Sequence, residues 1–222
     1  MIDTIVFDLD GTLLNTLEDL ADSVNYAMEQ YGLPARTLEE VRCFVGNGVG
    51  KLIERAIPGG LEHPCYKEIL AVFKAHYEVH CNDKTKAYEG ILPMLERAGQ
   101  EGYRLAIVSN KFDDAVKQLN EKYFKRYIKV AIGESAMVKR KPAPDTVYQA
   151  LAELSSQAEN AVYVGDSEVD IQTAAHVPMR CVSVTWGFRT EEQLLAAGAK
   201  PARMIRTPQE LLLLLPRLDE EG

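Results

Sequence analysis

Ile5-Val6-Phe7-Asp8-Leu9-Asp10-Gly11-Thr12 is the stretch on which the fold is decided. Three consecutive apolar residues bounded by polar ones suit a short strand buried on both faces, as strands of a parallel sheet are. Four runs of the same kind follow later: Leu105-Ala106-Ile107-Val108, Val130-Ala131-Ile132, Ala161-Val162-Tyr163-Val164 and Cys181-Val182-Ser183-Val184. After about residue 90 they alternate with helical patterns around 91–101, 113–122, 144–154, 168–176, 190–197 and 208–215. Such alternation predicts an α/β fold, a doubly wound and mainly parallel sheet with helices on its faces.

The stretch between the first strand and residue 90 has no strand-like run and reads as all helix. Leu17, Leu20, Ala21, Val24, Ala27, Met28 and Tyr31 recur at helical spacing, with Gly32 and Pro34 placed to end that helix. Thr37 followed by Glu40 is a capping box for a second helix, and further helices are expected over 49–57 and 65–80. The sequence therefore predicts a helical cap, residues 16–85, inserted into an α/β core of residues 1–15 and 86–222.

Composition narrows the function. A chain of 222 residues that is 46% hydrophobic can bury a substantial core. With 25 Lys and Arg against 33 Asp and Glu, its charge of -8 disfavours nucleic acid and anionic membrane surfaces as partners. Leu211 to Leu215 is the longest purely apolar run, far short of the roughly 20 residues that cross a bilayer. The Met1-Ile2-Asp3 start lacks the pattern of a signal peptide, so a cytoplasmic location is expected. Cys43, Cys65, Cys81 and Cys181 are scattered without a C-x-x-C pair and are read as reduced packing residues.

In a doubly wound sheet, ligands bind beyond the carboxyl ends of the strands, so the first polar residues after each apolar run carry the information. They are Asp8, Asp10, Gly11 and Thr12 after the first run, Ser109, Asn110 and Lys111 after the second, and Gly165, Asp166 and Asp170 after a later one. Lys141 lies in the Lys141-Pro142-Ala143-Pro144 loop between them. Carboxylates gathered at one rim repel each other unless a cation sits among them. An oxygen-only site without His or Cys suits Mg2+ and argues against zinc. With that ion and Lys141 drawing off charge, a carboxylate can attack phosphorus, and Asp8 is the best-placed attacker. Asp10, two residues on, would protonate the leaving oxygen and later activate water. Gly11 would let the backbone approach a phosphate and offer its N–H, with Ser109 and Asn110 as further donors.

These motifs, in this order and over nearly the whole chain, resemble the haloacid dehalogenase superfamily. The resemblance implies that Asp8 is nucleophile and metal ligand, and that Asp10 is general acid/base and lends a backbone carbonyl to the metal. It further implies that Ser109 binds phosphate, Lys141 steadies charge, and Asp166 and Asp170 hold or orient Mg2+. An acid at the position of Asp10 favours phosphate monoesters over halides and phosphonates. A cap inserted directly after the first motif resembles the subgroup of phosphoglycolate phosphatases and β-phosphoglucomutases. Gly46-Asn47-Gly48, Leu13-Leu14-Asn15-Thr16 and Trp186-Gly187-Phe188 look closest to the former, making 2-phosphoglycolate the implied substrate. Asn15 and Thr16 replace the Asp and Ser usual there.

Other readings compete. A β-phosphoglucomutase-type phosphotransferase would pass the phosphoryl group to a sugar hydroxyl. A signalling receiver domain also phosphorylates an Asp beside Mg2+, but lacks a helical insert and carries its acceptor on a middle strand. A binding protein that has lost catalysis is disfavoured because every expected acid is present. Gly46 to Lys51 is one residue short of a P-loop, and Leu52 replaces its Ser or Thr. His76 and His80 share a helix face but have no third ligand nearby in sequence. Lys111 and Glu168 read equally well as solvated neighbours, and the 211–215 leucines as a terminal helix docking on the sheet.

Overall fold

The computed structural model describes residues 1–220. The chain divides into two compact units, one formed by Met1–Leu14 with the chain from Ala87 onward, the other by Asn15–Lys86.

The first unit is a six-stranded parallel sheet. In chain order its strands are β1 (Thr4–Phe7), β4 (Arg104–Phe112), β5 (Val130–Glu134), β6 (Ala161–Gly165), β7 (Arg180–Val184) and β8 (Met204–Ile205). Two-residue strands β2 (Leu14–Asn15) and β3 (Lys86–Ala87), too short to register as apolar runs, form a separate ribbon. The spatial order β5-β4-β1-β6-β7-β8, with every pair parallel, puts β1 at the centre. The chain first builds outward through β4 and β5, then returns to the other side of β1 with β6. The switch point of the sheet is therefore at β1 and β6, where a ligand crevice is expected.

Side chains alternate across the sheet as the period of two requires. Ile5, Phe7 and Ile107 face one apolar cluster, filled by Leu95 of α5 (Ile91–Gln100), Leu119 of α6 (Asp113–Tyr123) and Leu215 of α10 (Pro208–Glu220). Val6, Ala106 and Tyr163 face the other, against Val147 of α7 (Asp145–Glu153) and Ala174 of α8 (Glu168–His176). A shorter helix, α9 (Glu191–Ala196), opens on a Thr190–Gln193 capping box.

Three details depart from the sequence reading. β8 was not expected, because its two residues are flanked by Arg203 and Arg206 rather than embedded in an apolar run. β4 continues past Val108 to Phe112 with a register shift against β5, so Ser109, Asn110 and Lys111 lie on an irregular strand extension. α10 passes through Pro216 to Glu220, where Leu215 and Leu218 are fully buried. That burial outweighs the helix-breaking tendency of a proline.

The second unit is helical: α1 (Leu17–Gln30), α2 (Leu38–Phe44), α3 (Gly48–Ala56) and α4 (Tyr66–His80). Gly32 ends α1 at φ 63°, and α2 carries its capping box, with Glu40 N–H donating to Thr37 Oγ1 at 3.2 Å and Thr37 N–H to Glu40 Oε2 at 2.8 Å. Among the described residues no helix is long and apolar enough to cross a membrane.

Candidate active site

Asp8 follows the last residue of β1, and its N–H still donates to Val164 O of β6 at 2.9 Å, which fixes it at the switch point. The chain then turns sharply: Leu9 O accepts from Leu13 and Leu14 N–H, both at 3.0 Å. Gly11 takes φ 91°, a left-handed conformation that a side chain would strain. A Cβ there would fall 2.4 Å from Asp166 Oδ2. Gly187 closes the same cradle, since its Cβ would meet Asp166 Cβ at 2.3 Å and Gly11 O at 2.5 Å. Both glycines exist to let the backbone approach Asp166.

Asp166 follows the end of β6 and is 1% exposed. It accepts from Phe188 N–H at 2.7 Å and from the Thr12 hydroxyl at 3.3 Å. Asp170, on the first turn of α8, accepts Ser167 N–H and Oγ at 3.1 and 2.6 Å through Oδ2. Its Oδ1 faces inward, taking Lys141 Nζ at 2.8 Å and the Tyr163 hydroxyl at 3.0 Å. Lys141 Nζ also donates to Asp8 Oδ1 at 2.6 Å and to the Tyr163 oxygen at 2.9 Å. Lys141 is 4% exposed, whereas Lys139 and Arg140 beside it are exposed.

Oxygens of Asp8, Asp166 and Asp170 lie within 4.8 Å of one another. Burial pushes Asp8 well above the usual carboxylate range; Lys141 opposes the rise, and the charges of Asp170 and Asp166 add to it. Burial, then the charge of Asp170, pushes Asp166 up to about 7 despite the Phe188 N–H and Arg189. Burial works to depress Lys141, but Asp170 and Asp8 outweigh it and hold the ammonium well above its ordinary value. Burial raises Tyr163 strongly, so its phenol keeps its proton. With three buried acids to one ammonium, the raised Asp8 and Asp166 show a cluster that favours taking up further positive charge, a proton or a cation. An all-oxygen donor set of this kind fits a hard divalent cation.

The remaining predicted residues fall nearby with different attachments. The Asp10 carboxylate is not among the three clustered acids; its Oδ1 accepts Lys111 Nζ at 2.9 Å. The Gly11 N–H donates to Leu14 O at 2.9 Å, so the turn itself uses the donor expected to face a phosphate. Ser109 is buried at the rim, where its Oγ accepts Lys111 N–H at 3.2 Å. Asn110 donates Nδ2 to Lys141 O at 3.0 Å and so tethers the lysine loop. Glu168 pairs with Arg189, at 2.8 Å to Nε. Sequence reading missed Tyr163, hidden as the aromatic of an apolar run, and gave Gly187 no role beyond the Trp186-Gly187-Phe188 resemblance, because its press against Asp166 is a contact between distant segments.

A parallel sheet with a buried cluster of acids and an ammonium at its switch point defines an α/β protein with a ligand crevice at the carboxyl ends of its strands. The chain belongs to the haloacid dehalogenase-like hydrolase family, whose model matches residues 5–184. It is 31% identical to a phosphoglycolate phosphatase of Pseudomonas syringae pv. tomato over 224 residues, covering 98% of this chain and 81% of that one. It is 32% identical to the phosphoglycolate phosphatase of Aliivibrio fischeri over 200 residues, covering 87% and 88%. A crystal structure from Lactobacillus delbrueckii subsp. bulgaricus, itself provisionally assigned as a phosphoglycolate phosphatase, superposes with TM-score 0.90 at 35% identity over 94% of this chain and 96% of that one. The chain is thus a phosphatase of this family, a phosphoric monoester hydrolase.

Proposed function

We propose that this phosphatase cleaves a small phosphate monoester, 2-phosphoglycolate above others, by passing the phosphoryl group first to Asp8 and then to water. The observation that carries the reading is the meeting of Asp8, Asp166 and Asp170 within 4.8 Å beside the Lys141 ammonium.

An Asp8 oxygen attacks phosphorus, forming the acyl phosphate as the P–O bond to the alcohol breaks. The pair to Lys141 holds Asp8 in one orientation and offsets the charge that builds as two anions approach. Asp10 gives its proton to the departing alkoxide, then takes one from the water that attacks the phosphorus and frees Asp8. Ser109 donates to a phosphate oxygen. Asp8, Asp166 and Asp170 would hold Mg2+, with Asp10 lending its backbone carbonyl. When bound, the ion supplies positive charge to the phosphate oxygens and the attacking carboxylate. The Asn110 bond to Lys141 O and the Tyr163 hydroxyl position the lysine.

The core comprises residues 1–15 and 86–222, and the helical insertion of residues 16–85 acts as a cap. It leaves the chain a few residues after Asp10 and Gly11, which supports a role in enclosing the substrate and excluding water.

The test is phosphate release by the purified chain with Mg2+ from a panel of small phosphorylated metabolites. 2-Phosphoglycolate should show the highest kcat/KM, and hydroxylamine should trap an acyl phosphate at Asp8. A sugar phosphate or other ester exceeding it by about tenfold would overturn the substrate, a difference of roughly 1.4 kcal/mol in barrier.

A further inference from the structure

Two buried ammonium groups serve this site, and their surroundings differ. Lys141 lies between Asp8 and Asp170, whose side chains are 9% and 1% exposed. Lys111 is paired with Asp10, whose side chain, at 15%, is more open than either. Lys111 and Ser109 stand two residues apart on the β4 extension, and the Lys111 N–H bonds to Ser109 Oγ at 3.2 Å.

The placement bears on the leaving group. On the reading proposed above, phosphate oxygens lie toward Asp8, Lys141 and Ser109, while the ester oxygen to the alcohol meets Asp10. Whatever is attached to that oxygen lies within reach of an ammonium 2.9 Å from the same carboxylate. A methylene later the chain of 2-phosphoglycolate ends in a carboxylate, whereas a simple alkyl ester has only a methyl there. Lysine ammonium groups present three donors on a flexible stem, so one group can serve both an aspartate and a substrate carboxylate.

We infer that Lys111 is a specificity-determining residue, whose charge recognises an anionic group carried by the leaving alcohol one carbon from the ester oxygen. The site then selects phosphate esters of small hydroxy acids over those of neutral alcohols. This inference rests on the phosphatase reading and deepens it. The competing role, in which Lys111 only orients Asp10, affects every substrate alike.

The experiment compares 2-phosphoglycolate with ethyl phosphate, its analogue with a methyl in place of the carboxylate, in wild type, Lys111→Met and Lys111→Arg. Wild type should prefer 2-phosphoglycolate in kcat/KM by about tenfold to a hundredfold, the range of one charge-assisted hydrogen bond. Lys111→Met should erase most of that preference, chiefly through a higher KM for 2-phosphoglycolate, and Lys111→Arg should restore most of it. Equal losses on both esters, concentrated in kcat, would overturn the inference in favour of a positioning role. Should Lys111→Met fail to fold, the wild-type ratio and the arginine variant decide: parity between the two esters in wild type overturns it outright. Absence of phosphate release from any ester would instead overturn the phosphatase reading itself, a distinct result.

Discussion

The α/β unit and the helical unit each gather acidic residues and a strong donor group, and only one gathering has the character of a cation site. In the helical unit, a cleft of about 850 Å³ is lined by Asp22, Tyr26, His76, His80 and Asp83, among others. The two histidines do meet, as their i, i+4 spacing requires, but face to face: the rings stack at 4.3 Å, with Tyr26 stacked on His76 at 4.1 Å. Stacked rings turn their faces, not their nitrogen lone pairs, toward each other. His76 Nδ1 bonds the Ser23 hydroxyl at 3.0 Å and His80 Nδ1 bonds Asp83 at 2.7 Å, with about half of each side chain of that second pair exposed. In the α/β unit three buried carboxylates converge from two strand ends, Asp8 after β1 and Asp166 and Asp170 after β6, with more acid than base among them. Enclosure and unbalanced charge, not clustering, separate a site from a surface.

The contrast breaks most sharply at Asp8. Asp8→Asn should lower phosphate release by about 10⁴-fold or more, as removal of a nucleophile does, with a folded protein by circular dichroism. Near-wild-type turnover would remove Asp8 from the nucleophile role. Next in size is Gly187→Ala, whose new methyl would press on Asp166 Cβ and Gly11 O. Displacing Asp166 should weaken cation affinity by about tenfold to a hundredfold, measured by titrating chelator-stripped protein with Mg2+. Excess Mg2+ should recover part of the activity; unchanged affinity would show that the close approach does not position Asp166.

A smaller effect follows from the Asp166 value of about 7 in the cation-free chain. Below that pH a proton occupies the carboxylate and must leave before a cation binds, so affinity should fall about tenfold per unit as pH drops from 7. The same shift acts on stability. A carboxyl raised from 3.8 to about 7 on folding favours the folded chain fully below 3.8 and loses that contribution as pH rises through about 7. The cation-free melting temperature should carry this loss between those values. Added Mg2+ should raise the melting temperature more at about pH 8 than at about pH 6. An equal rise at both would dissociate Asp166 from the cation.

Much of this site was legible because its residues follow apolar runs: Asp8 and Asp166 stand just past the ends of β1 and β6, and Ser109 follows its apolar run although β4 continues through it. What stayed hidden depends on contacts between distant segments. Tyr163 reads as core because a buried strand tolerates an aromatic, and only the fold reveals that its hydroxyl reaches Lys141 and Asp170. Lys111 reads equally well as a site residue or a solvated neighbour, because a lysine after a strand is commonly solvated; the continuation of β4 to Phe112 buries it against Asp10. The Gly11 N–H looked available because a tight turn cannot be closed on paper, and Leu14 O turned out to accept it. Strand β8 escaped because two residues carry no periodicity.

The smallest expected effect lies on the other side of the comparison. Replacing His76 and His80 together by alanine removes the Tyr26 stack and the Ser23 bond from the contact between α1 and α4, the His76–His80 stack within α4, and the exposed His80–Asp83 bond. Stacked aromatic pairs contribute about 1 kcal/mol each beyond area, but these rings are partly exposed, so the loss in unfolding free energy should be about 1 kcal/mol in total. Mg2+ affinity should not change, because neither ring belongs to the carboxylate cluster. Burial, followed by the neighbouring His80 charge, holds His76 below its usual value. The stack should therefore survive until the pH falls below the ordinary histidine range, and the difference in stability between wild type and the double variant should shrink only there. A tight cation bound to the wild-type helical unit and lost in the variant would reverse the comparison, making the stacked pair a ligand set after all.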